Sequence, residues 1–222
     1  MGMTPLHVAV EYGQREVVQY LLGKGVSTEA ADHSHVTALH LAGLEHHVSI
    51  AEDLLRAGAS VSSVTTDGDT PLHWAALGGR PEIVQLLLTY EAPVDAPNNQ
   101  GWTPLHRAAH NNHTRAASSL AAAGANISAA TSDKGDTPLH LACHSNHLAM
   151  IELLVGPLGA PTDATNAAGD APLAVCLTDA ARALVEKAVA RAGAQAGAQT
   201  GAGAGGGWVQ QQGHGAPHPN GW

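Results

Sequence analysis

The chain has 222 residues, enough for one ordinary domain or a repeat array. Because 44% of them are hydrophobic, the chain is not expected to be disordered as a whole. Its 19 acidic and 10 basic residues give a formal charge of −9, which argues against a nucleic-acid backbone or an anionic membrane surface as the main partner. Two cysteines cannot form a disulfide framework, and no apolar run approaches the roughly 20 residues of a membrane span. We therefore expect an intracellular protein with reduced cysteines, located in the cytoplasm, with the nucleus as the alternative compartment.

A four-residue motif recurs along the chain at a nearly fixed spacing. Thr-Pro-Leu-His begins at Thr4, Thr70, Thr103 and Thr137, with the variants Thr-Ala-Leu-His at Thr37 and Ala-Pro-Leu-Ala at Ala171. Successive copies are 33, 33, 33, 34 and 34 residues apart. A fixed period of this length is the signature of a repeat architecture, and it predicts six units.

Each unit predicts two short helices. The motif Thr can cap the first helix, and the following Pro suits the first helical position. Apolar residues at the spacing of one helical stripe, such as Ile83, Val84, Leu87 and Leu88, predict the second helix. A Gly ends that helix in most units, and a polar connection returns the chain to the next motif. A core of Ala, Leu and Val without Phe favours close-packed helices over a sheet sandwich.

The fourth unit has the smallest predicted core. Three of its four stripe residues are Ala, at Ala116, Ala117 and Ala121, and only Leu120 is large. Since smaller side chains bury less apolar area, we expect the helix from Ala116 to Ala123 to be the least protected between the end units.

The residues of the third unit carry a resemblance to a known family. The segment from Asp67 to Ala76, Asp-Gly-Asp-Thr-Pro-Leu-His-Trp-Ala-Ala, resembles the opening of an ankyrin repeat, and Glu82 to Leu88 resembles its second helix. The resemblance covers residues 1 to about 193. It implies an all-α solenoid of helix-turn-helix units joined by hairpin-like loops, with boundaries near 1–33, 34–66, 67–99, 100–133, 134–167 and 168–193.

The two ends of the array differ from its middle. The first unit begins almost at Thr4 without a preceding hairpin, so either Met1 is not the natural start or the exposed end packs on something else. The last unit is degenerate, and its second helix, near Leu184 to Ala192, has the charged residues of a C-terminal cap. Residues 194–222 are rich in Gly, Ala and Gln and lack charged side chains, which predicts a disordered tail.

Histidine and cysteine are the candidate residues for chemistry. The five motif histidines are predicted to support helix starts. His110 with His113, and His144 with His147, form two His-x-x-His pairs that could hold Zn²⁺ or Cu²⁺, but no acidic or Cys ligand completes a site. We interpret them as solvated turn histidines and assign no metal or cofactor. The motif histidines are His7, His40, His73, His106 and His140.

The cysteines and the remaining nucleophiles predict no catalysis. We interpret Cys143 and Cys176 as small buried residues. They are expected to lie about one repeat apart, which is too far for a disulfide. No Ser or Cys has a recognisable base and orienting partner, so we expect a non-enzymatic protein.

The connections between units are acidic. They hold nine Asp or Glu residues and one Lys. Asp is favoured in turns for backbone reasons, which by itself would explain this acidity, and the alternative interpretation is that the charge steers a basic partner segment. The resemblance implies that these tips and the exposed side of the first helices form a concave surface. The connections are residues 26–36, 59–69, 92–102, 125–136 and 160–170.

Large side chains predict where on this surface a partner binds. Trp74, Trp102 and Arg107 fall in neighbouring units, and Trp, Tyr and Arg are the commonest binding hot spots. Partial burial between repeats is the alternative interpretation of the two tryptophans. The other candidate partner-binding residues are Tyr12, Asp67, Asp69, Asn99, Gln100, Asp133 and Asp136.

The sequence therefore predicts a monomeric protein–protein interaction module, an adaptor or scaffold, and leaves open whether the partner has a basic segment. Two alternatives remain open at this point. One is a His-rich module that responds to metal or pH, and the other is a fragment of a larger ankyrin-containing protein.

Overall fold

Pairs of short helices follow one another along the chain. The computed structural model describes residues 2–201, which contain eleven α-helices and, apart from one isolated bridge between Ala31 and Thr37, no β-pairing. The helices are α1 Pro5–Glu11, α2 Arg15–Gly23, α3 Ala38–Glu45, α4 Val48–Arg56, α5 Pro71–Leu77, α6 Pro81–Thr89, α7 Pro104–His110, α8 Thr114–Ala122, α9 Pro138–His144, α10 Leu148–Val155 and α11 Asp179–Gly201.

The motif threonine begins the first helix of each of the first five pairs. Thr70, for example, has an extended backbone (φ −88°, ψ 168°), and its hydroxyl accepts from the backbone N–H of His73 at 3.4 Å. The His73 Nδ1 atom accepts in return from the backbone N–H of Thr70 at 3.1 Å. This reciprocal capping satisfies two donors that would otherwise be orphaned at the helix start.

The same histidines join neighbouring units. Because Nδ1 accepts from a backbone N–H, the ring proton lies on Nε2, which donates to a carbonyl of the next unit. The structure thus confirms the structural role predicted for the motif histidines. The bonds run from His7 to Val36 (2.8 Å), His40 to Asp69 (3.0 Å), His73 to Trp102 (2.9 Å), His106 to Asp136 (3.1 Å) and His140 to Asp170 (2.9 Å).

Neighbouring connections are also joined directly through the backbone. One N–H of each connection donates to a carbonyl at the tip of the connection before it. These bonds fix the spacing of the tips independently of the helices. They are Thr66 to Ser34 (2.9 Å), Asn99 to Asp67 (3.0 Å), Ser132 to Gln100 (2.8 Å) and Ala167 to Lys134 (2.8 Å).

The helices form two layers around a continuous core. The first helices α1, α3, α5, α7 and α9 pack in sequence, and the second helices α2, α4, α6, α8 and α10 do the same. Helices of seven to nine residues are marginal alone, so the stacking stabilises them. Ile50 and Ile83 are fully buried by the preceding pair, whereas Val17 at the same position in the first pair is 46% exposed. This is the all-α solenoid that the period predicts.

The sixth unit departs from the pattern. Residues 172–175 form turns instead of a first helix. Ala171 and Ala174 replace the Thr and His of the motif, so the reciprocal capping that starts the other first helices is absent. The unit consists mainly of α11, which packs on α10 and closes that end of the core.

Helix α11 is longer than the charge pattern indicates. It begins at Asp179 and runs to Gly201, into the segment whose composition predicts a disordered tail. Ala and Gln are good helix formers, which explains the continuation. The rest of the predicted tail, residues 202–222, lies outside the described residues. Over the range 2–201, no helix combines the length and the apolar character needed to cross a membrane.

Candidate binding site

The tips of the connections and the exposed sides of α1, α3, α5, α7 and α9 form one surface, which we call the inner face. Equivalent positions of successive units lie side by side along it, because each unit is bonded to the next through a motif histidine and a tip hydrogen bond. Residues about 33 apart in sequence therefore become neighbours, and a binding site can combine several units.

Trp102 lies at the centre of the best-defined cluster on the inner face. Its backbone is held on both sides, since its N–H donates to the Asn98 Oδ1 atom at 2.9 Å and its carbonyl accepts from His73. The indole is partly exposed, and the edge of the His110 ring packs against it with centroids 5.3 Å apart. An anchored, partly exposed aromatic ring is a suitable contact for a partner, because little entropy is lost on binding.

Arg107 covers the indole and ties it to the neighbouring unit. Its guanidinium carbon lies 5.1 Å from the centre of the Trp102 ring, within the range of a cation–π interaction. Its Nη2 atom donates to the Asp69 Oδ2 atom at 2.6 Å. Within residues 2–201, the buried Nε atom of Arg107 has no hydrogen-bond partner. The arginine is thus oriented by one carboxylate and still has donor capacity.

Asp69 is a predicted partner-binding residue, but its side chain is almost fully buried. It is only 5% exposed, and both carboxylate oxygens accept hydrogen bonds, one from Arg107 and one from Asn98 Nδ2 at 2.8 Å. Asp69 therefore acts on the inner face through Arg107, whose guanidinium it positions.

Trp74 occupies the position of Arg107 one unit earlier. It is half-buried, and its ring packs edge-on against His40 with centroids 5.6 Å apart. Both tryptophans therefore have the partial burial between repeats that was the alternative interpretation, and each also retains exposed surface.

The remaining candidates are spread over the inner face. Asp67, Asn99 and Gln100 are exposed at the tips next to the Trp102 cluster, and the Asn99 side chain donates to the Thr66 carbonyl at 2.9 Å. Asp133 is exposed and Asp136 half-buried in the next connection.

Tyr12 is not brought to this cluster. It lies in the first unit, 69% exposed, at the end of the array opposite α11. It lines a depression of about 580 Å³ with apolar residues that include Val8 and Val17.

The tip carboxylates accept hydrogen bonds both within their own connection and from the following unit. Six of the nine accept such bonds: Asp32 and Asp133 from backbone N–H groups of their own connection, as acidic turn residues do, and the other four from donors of the following unit. The other three, at Asp67, Asp163 and Asp170, have no side-chain hydrogen bond within residues 2–201. The six are Glu29, Asp32, Asp69, Asp95, Asp133 and Asp136.

One class of functional residue was missed by the sequence interpretation. The residue that opens each tip turn is buried or half-buried, and its side chain accepts from backbone N–H groups of the same turn. Asn98 does this and also fixes Asp69, and Asn166 does the same for Asp136 at 2.9 Å. The signal was the recurrence of Asp, Thr or Asn at this point, at Asp32, Thr65, Asn98, Thr131 and Asn166.

The paired histidines serve contacts between units. The Nε2 atom of His147 donates to the His110 carbonyl at 2.9 Å, and the His113 ring packs over Gly79. Burial, followed by the charges of neighbouring His147 and Arg107, lowers the pKa of His110. Residues 2–201 contain no group of three or more His, Cys, Asp or Glu side chains placed to hold a metal ion.

Cys143 and Cys176 are both buried and both free, as predicted. Burial, and then the interaction with the neighbouring Cys176 thiol, raises the pKa of Cys143. The two cysteines lie in adjacent units, and stacking makes their thiols neighbours without a disulfide between them. A buried thiol that resists ionisation is a poor nucleophile.

Models of the ankyrin repeat family match most of the chain. A model of three ankyrin repeats matches residues 1–65 and 39–131, and a model of a single ankyrin repeat matches residues 134–167. The chain belongs to the ankyrin repeat family. Ankyrin repeats generally mediate protein–protein interaction and are typically non-enzymatic. No curated protein matches the chain significantly.

In this ankyrin-repeat protein, side chains of different chemistry meet at the Trp102 cluster. The Trp102 cluster offers an aromatic face, an oriented guanidinium and an acidic border at Asp67 and Asp133. These groups provide hydrogen bonds, apolar area and charge.

Proposed function

We propose that this ankyrin-repeat protein is a non-enzymatic adaptor or scaffold that binds a protein partner on its inner face, with Trp102, Arg107 and Trp74 at the centre. The partner contributes a basic segment. The observation that carries the proposal is the anchored Trp102 ring under Arg107, because a fixed aromatic beside an oriented arginine combines the two residue types most frequent in binding hot spots.

The charge of the inner face supports a basic partner. The exposed carboxylates of Asp67 and Asp133 border the cluster on either side. Within residues 2–201 no ion pair is formed by either of them. Like-signed charges along one edge attract a cationic segment and speed its association.

The test is a quantitative binding measurement on a partner isolated by affinity capture with the intact protein. Replacing Trp102→Ala and Arg107→Ala together is expected to weaken binding at least ~30-fold, the effect of losing one hot spot of about 2 kcal/mol. Trp102→Ala alone leaves the Arg107–Asp69 ion pair in place and should account for most of the loss.

Tyr90→Ala is the matched control, because Tyr90 is an exposed aromatic at the end of α6, in the second-helix layer. It should leave binding unchanged. If the double variant keeps its helical circular dichroism and binds the partner as tightly as the original protein, the placement of the site is wrong.

A further inference from the structure

The surface of α1 and α2 that is turned away from α3 and α4, which we call the end face, is a face that the preceding helix pair covers in the later units. Val17 is 46% exposed on it, whereas its counterparts in the next four second helices are at most 2% exposed. Pro5 is also exposed, and its proline counterparts are buried. The counterparts are Ile50, Ile83, Ala116 and Met150 for Val17, and Pro71, Pro104 and Pro138 for Pro5. The end face therefore has the shape that packs against another pair of helices.

The end face is largely apolar. Five large apolar side chains are each more than a third exposed on it, and four of them line the depression of about 580 Å³. Together they present on the order of 500 Å² of accessible area, which is large for a patch on a monomer and roughly two-thirds of what a standard dimer interface takes from each copy. The five are Met3, Val8, Tyr12, Val17 and Tyr20.

The contacts of later units show that Tyr20 and Glu16 also belong to the end face. Asp53, at the position of Tyr20 in the second unit, accepts hydrogen bonds from two side chains of α2 at 2.8 and 2.9 Å. Arg115, at the position of Glu16 in the fourth unit, donates to Glu82 of the unit before it at 3.1 Å. Both positions thus face the preceding unit wherever there is one, and in the first unit both side chains are exposed.

The charges of this end suit a second copy of the chain. Residues 2–25 carry two acidic and two basic side chains, so the formal charge of −9 belongs entirely to later residues. Two copies therefore repel each other least when they meet through the end face. Glu16 and Lys24 lie four residues to either side of Tyr20, and the Lys24 Nζ atom is 5.3 Å from the centre of the Tyr20 ring. An α2 helix that crosses a second α2 helix antiparallel at Tyr20 thus matches acid with base at both ends.

We propose that two copies of the chain pair through the end face, with their α2 helices antiparallel across a two-fold axis at Tyr20. In such an isologous contact, Glu16 of each copy meets Lys24 of the other, and the apolar side chains pack between these pairs. The contact occupies both end faces, so assembly stops at two copies. This dimer replaces the monomer predicted from the sequence. It is independent of the proposed function, because the Trp102 cluster lies in the third and fourth units.

Sedimentation equilibrium of the intact protein tests the pairing. As the concentration rises from about 1 to 300 µM, the average mass should increase from that of one chain toward that of two and no further, because the apolar area suits a dissociation constant on the order of 10 µM. Replacing Val17→Ser and Tyr20→Ser together should keep the protein monomeric over this range. Tyr90→Ser is the matched control, since Tyr90 is an exposed aromatic in the third unit, and it should leave the pairing unchanged.

A cycle of charge reversals tests the antiparallel arrangement of the two α2 helices. Glu16→Lys alone and Lys24→Glu alone should each raise the dissociation constant at least ~10-fold, because two attractive pairs become repulsive. The two reversals together restore opposite charges across the axis, so the dissociation constant should return to within about threefold of the original. Glu152→Lys makes the same charge change at an exposed position of α10 and should have no effect.

The replaced side chains are exposed, so all variants are expected to keep the helical circular dichroism of the original protein. An average mass that stays at one chain up to the highest concentration would overturn the inference, as would assembly beyond two copies. Pairing that survives the double serine replacement would show that the contact lies elsewhere. A double charge reversal that pairs no better than the single reversals would refute the two-fold arrangement at Tyr20.

Discussion

Arg107 donates to Asp69 over 2.6 Å across the boundary between the fourth and third units, and both side chains are largely buried. The pair links the binding cluster to the stability of the stack. A largely buried ion pair adds little over an apolar contact, but a buried charge that has lost its partner is costly.

Asp69→Asn is therefore expected to lower the free energy of unfolding by about 1–3 kcal/mol, because Arg107 then keeps no charged partner. Urea denaturation followed by circular dichroism measures the change. Asp67→Asn is the matched control, since Asp67 is exposed. Equal stability of the Asp69→Asn variant and the original protein would show that the ion pair is not required.

The pH dependence of stability is set in part by two motif histidines. Burial lowers the pKa of His40 and of His106 to about 4, against the weaker opposing effect of their hydrogen bonds to backbone carbonyls. Between pH 6.5 and 4 the unfolded chain binds protons at these positions that the folded chain does not. Stability therefore falls as the pH falls through this window, by about 1–2 kcal/mol for each histidine at pH 5.

Denaturant midpoints at pH 7.5 and pH 5 measure this loss. His106→Gln should lower stability at pH 7.5 and reduce the difference between the two pH values. His33→Gln, at an exposed position, should leave that difference unchanged. A stability that is constant from pH 7.5 to pH 5 would contradict the assignment of neutral, buried imidazoles.

Glu91 has the left-handed backbone conformation (φ 62°) that Gly25, Gly58, Gly124 and Gly159 have at the ends of the other second helices. A residue with a Cβ atom is strained in this conformation by about 1–2 kcal/mol. Replacement by Gly removes this strain, but part of the gain is lost because Gly has more conformational freedom in the unfolded chain. Glu91→Gly is expected to raise the unfolding free energy by about 0.5–1 kcal/mol, measured by urea denaturation. A loss of stability would show that the Glu91 side chain contributes more than the backbone strain costs.

Helix α8 is expected to open more readily than its neighbours. Its buried residues are Ala116, Ala117 and Leu120, and its small outer side chains leave a depression of about 640 Å³ beside Leu153. Hydrogen exchange should be faster for Ala116–Ala123 than for Ile83–Leu88, because less apolar area holds the helix closed. Equal protection of the two segments would contradict this.

The period and the motif allowed most of the fold to be predicted from sequence. Thr70, the capping contact of His73 and the apolar stripe of α6 all lie within one unit, so these features recur at a fixed spacing in the sequence. The contacts across units were harder to predict. The buried position of Asp69 depends on Asn98 and Arg107 together, and the proximity of Cys143 and Cys176 depends on stacking. A single unit does not reveal these contacts.

The candidate site was predicted in part for the same reason. The residue types of Trp102 and Arg107 indicated a hot spot, but only the structure shows that one covers the other. Residue type alone groups Tyr12 with them, and composition does not reveal its distant position.

The measurement that most directly tests binding on the inner face is hydrogen exchange of the intact protein with and without its captured partner. We predict slower exchange on binding in the connections 92–102 and 125–136 and in α7, with α4, α6 and α8 unchanged. Protection confined to the second-helix layer, with the tips unaffected, would contradict the account.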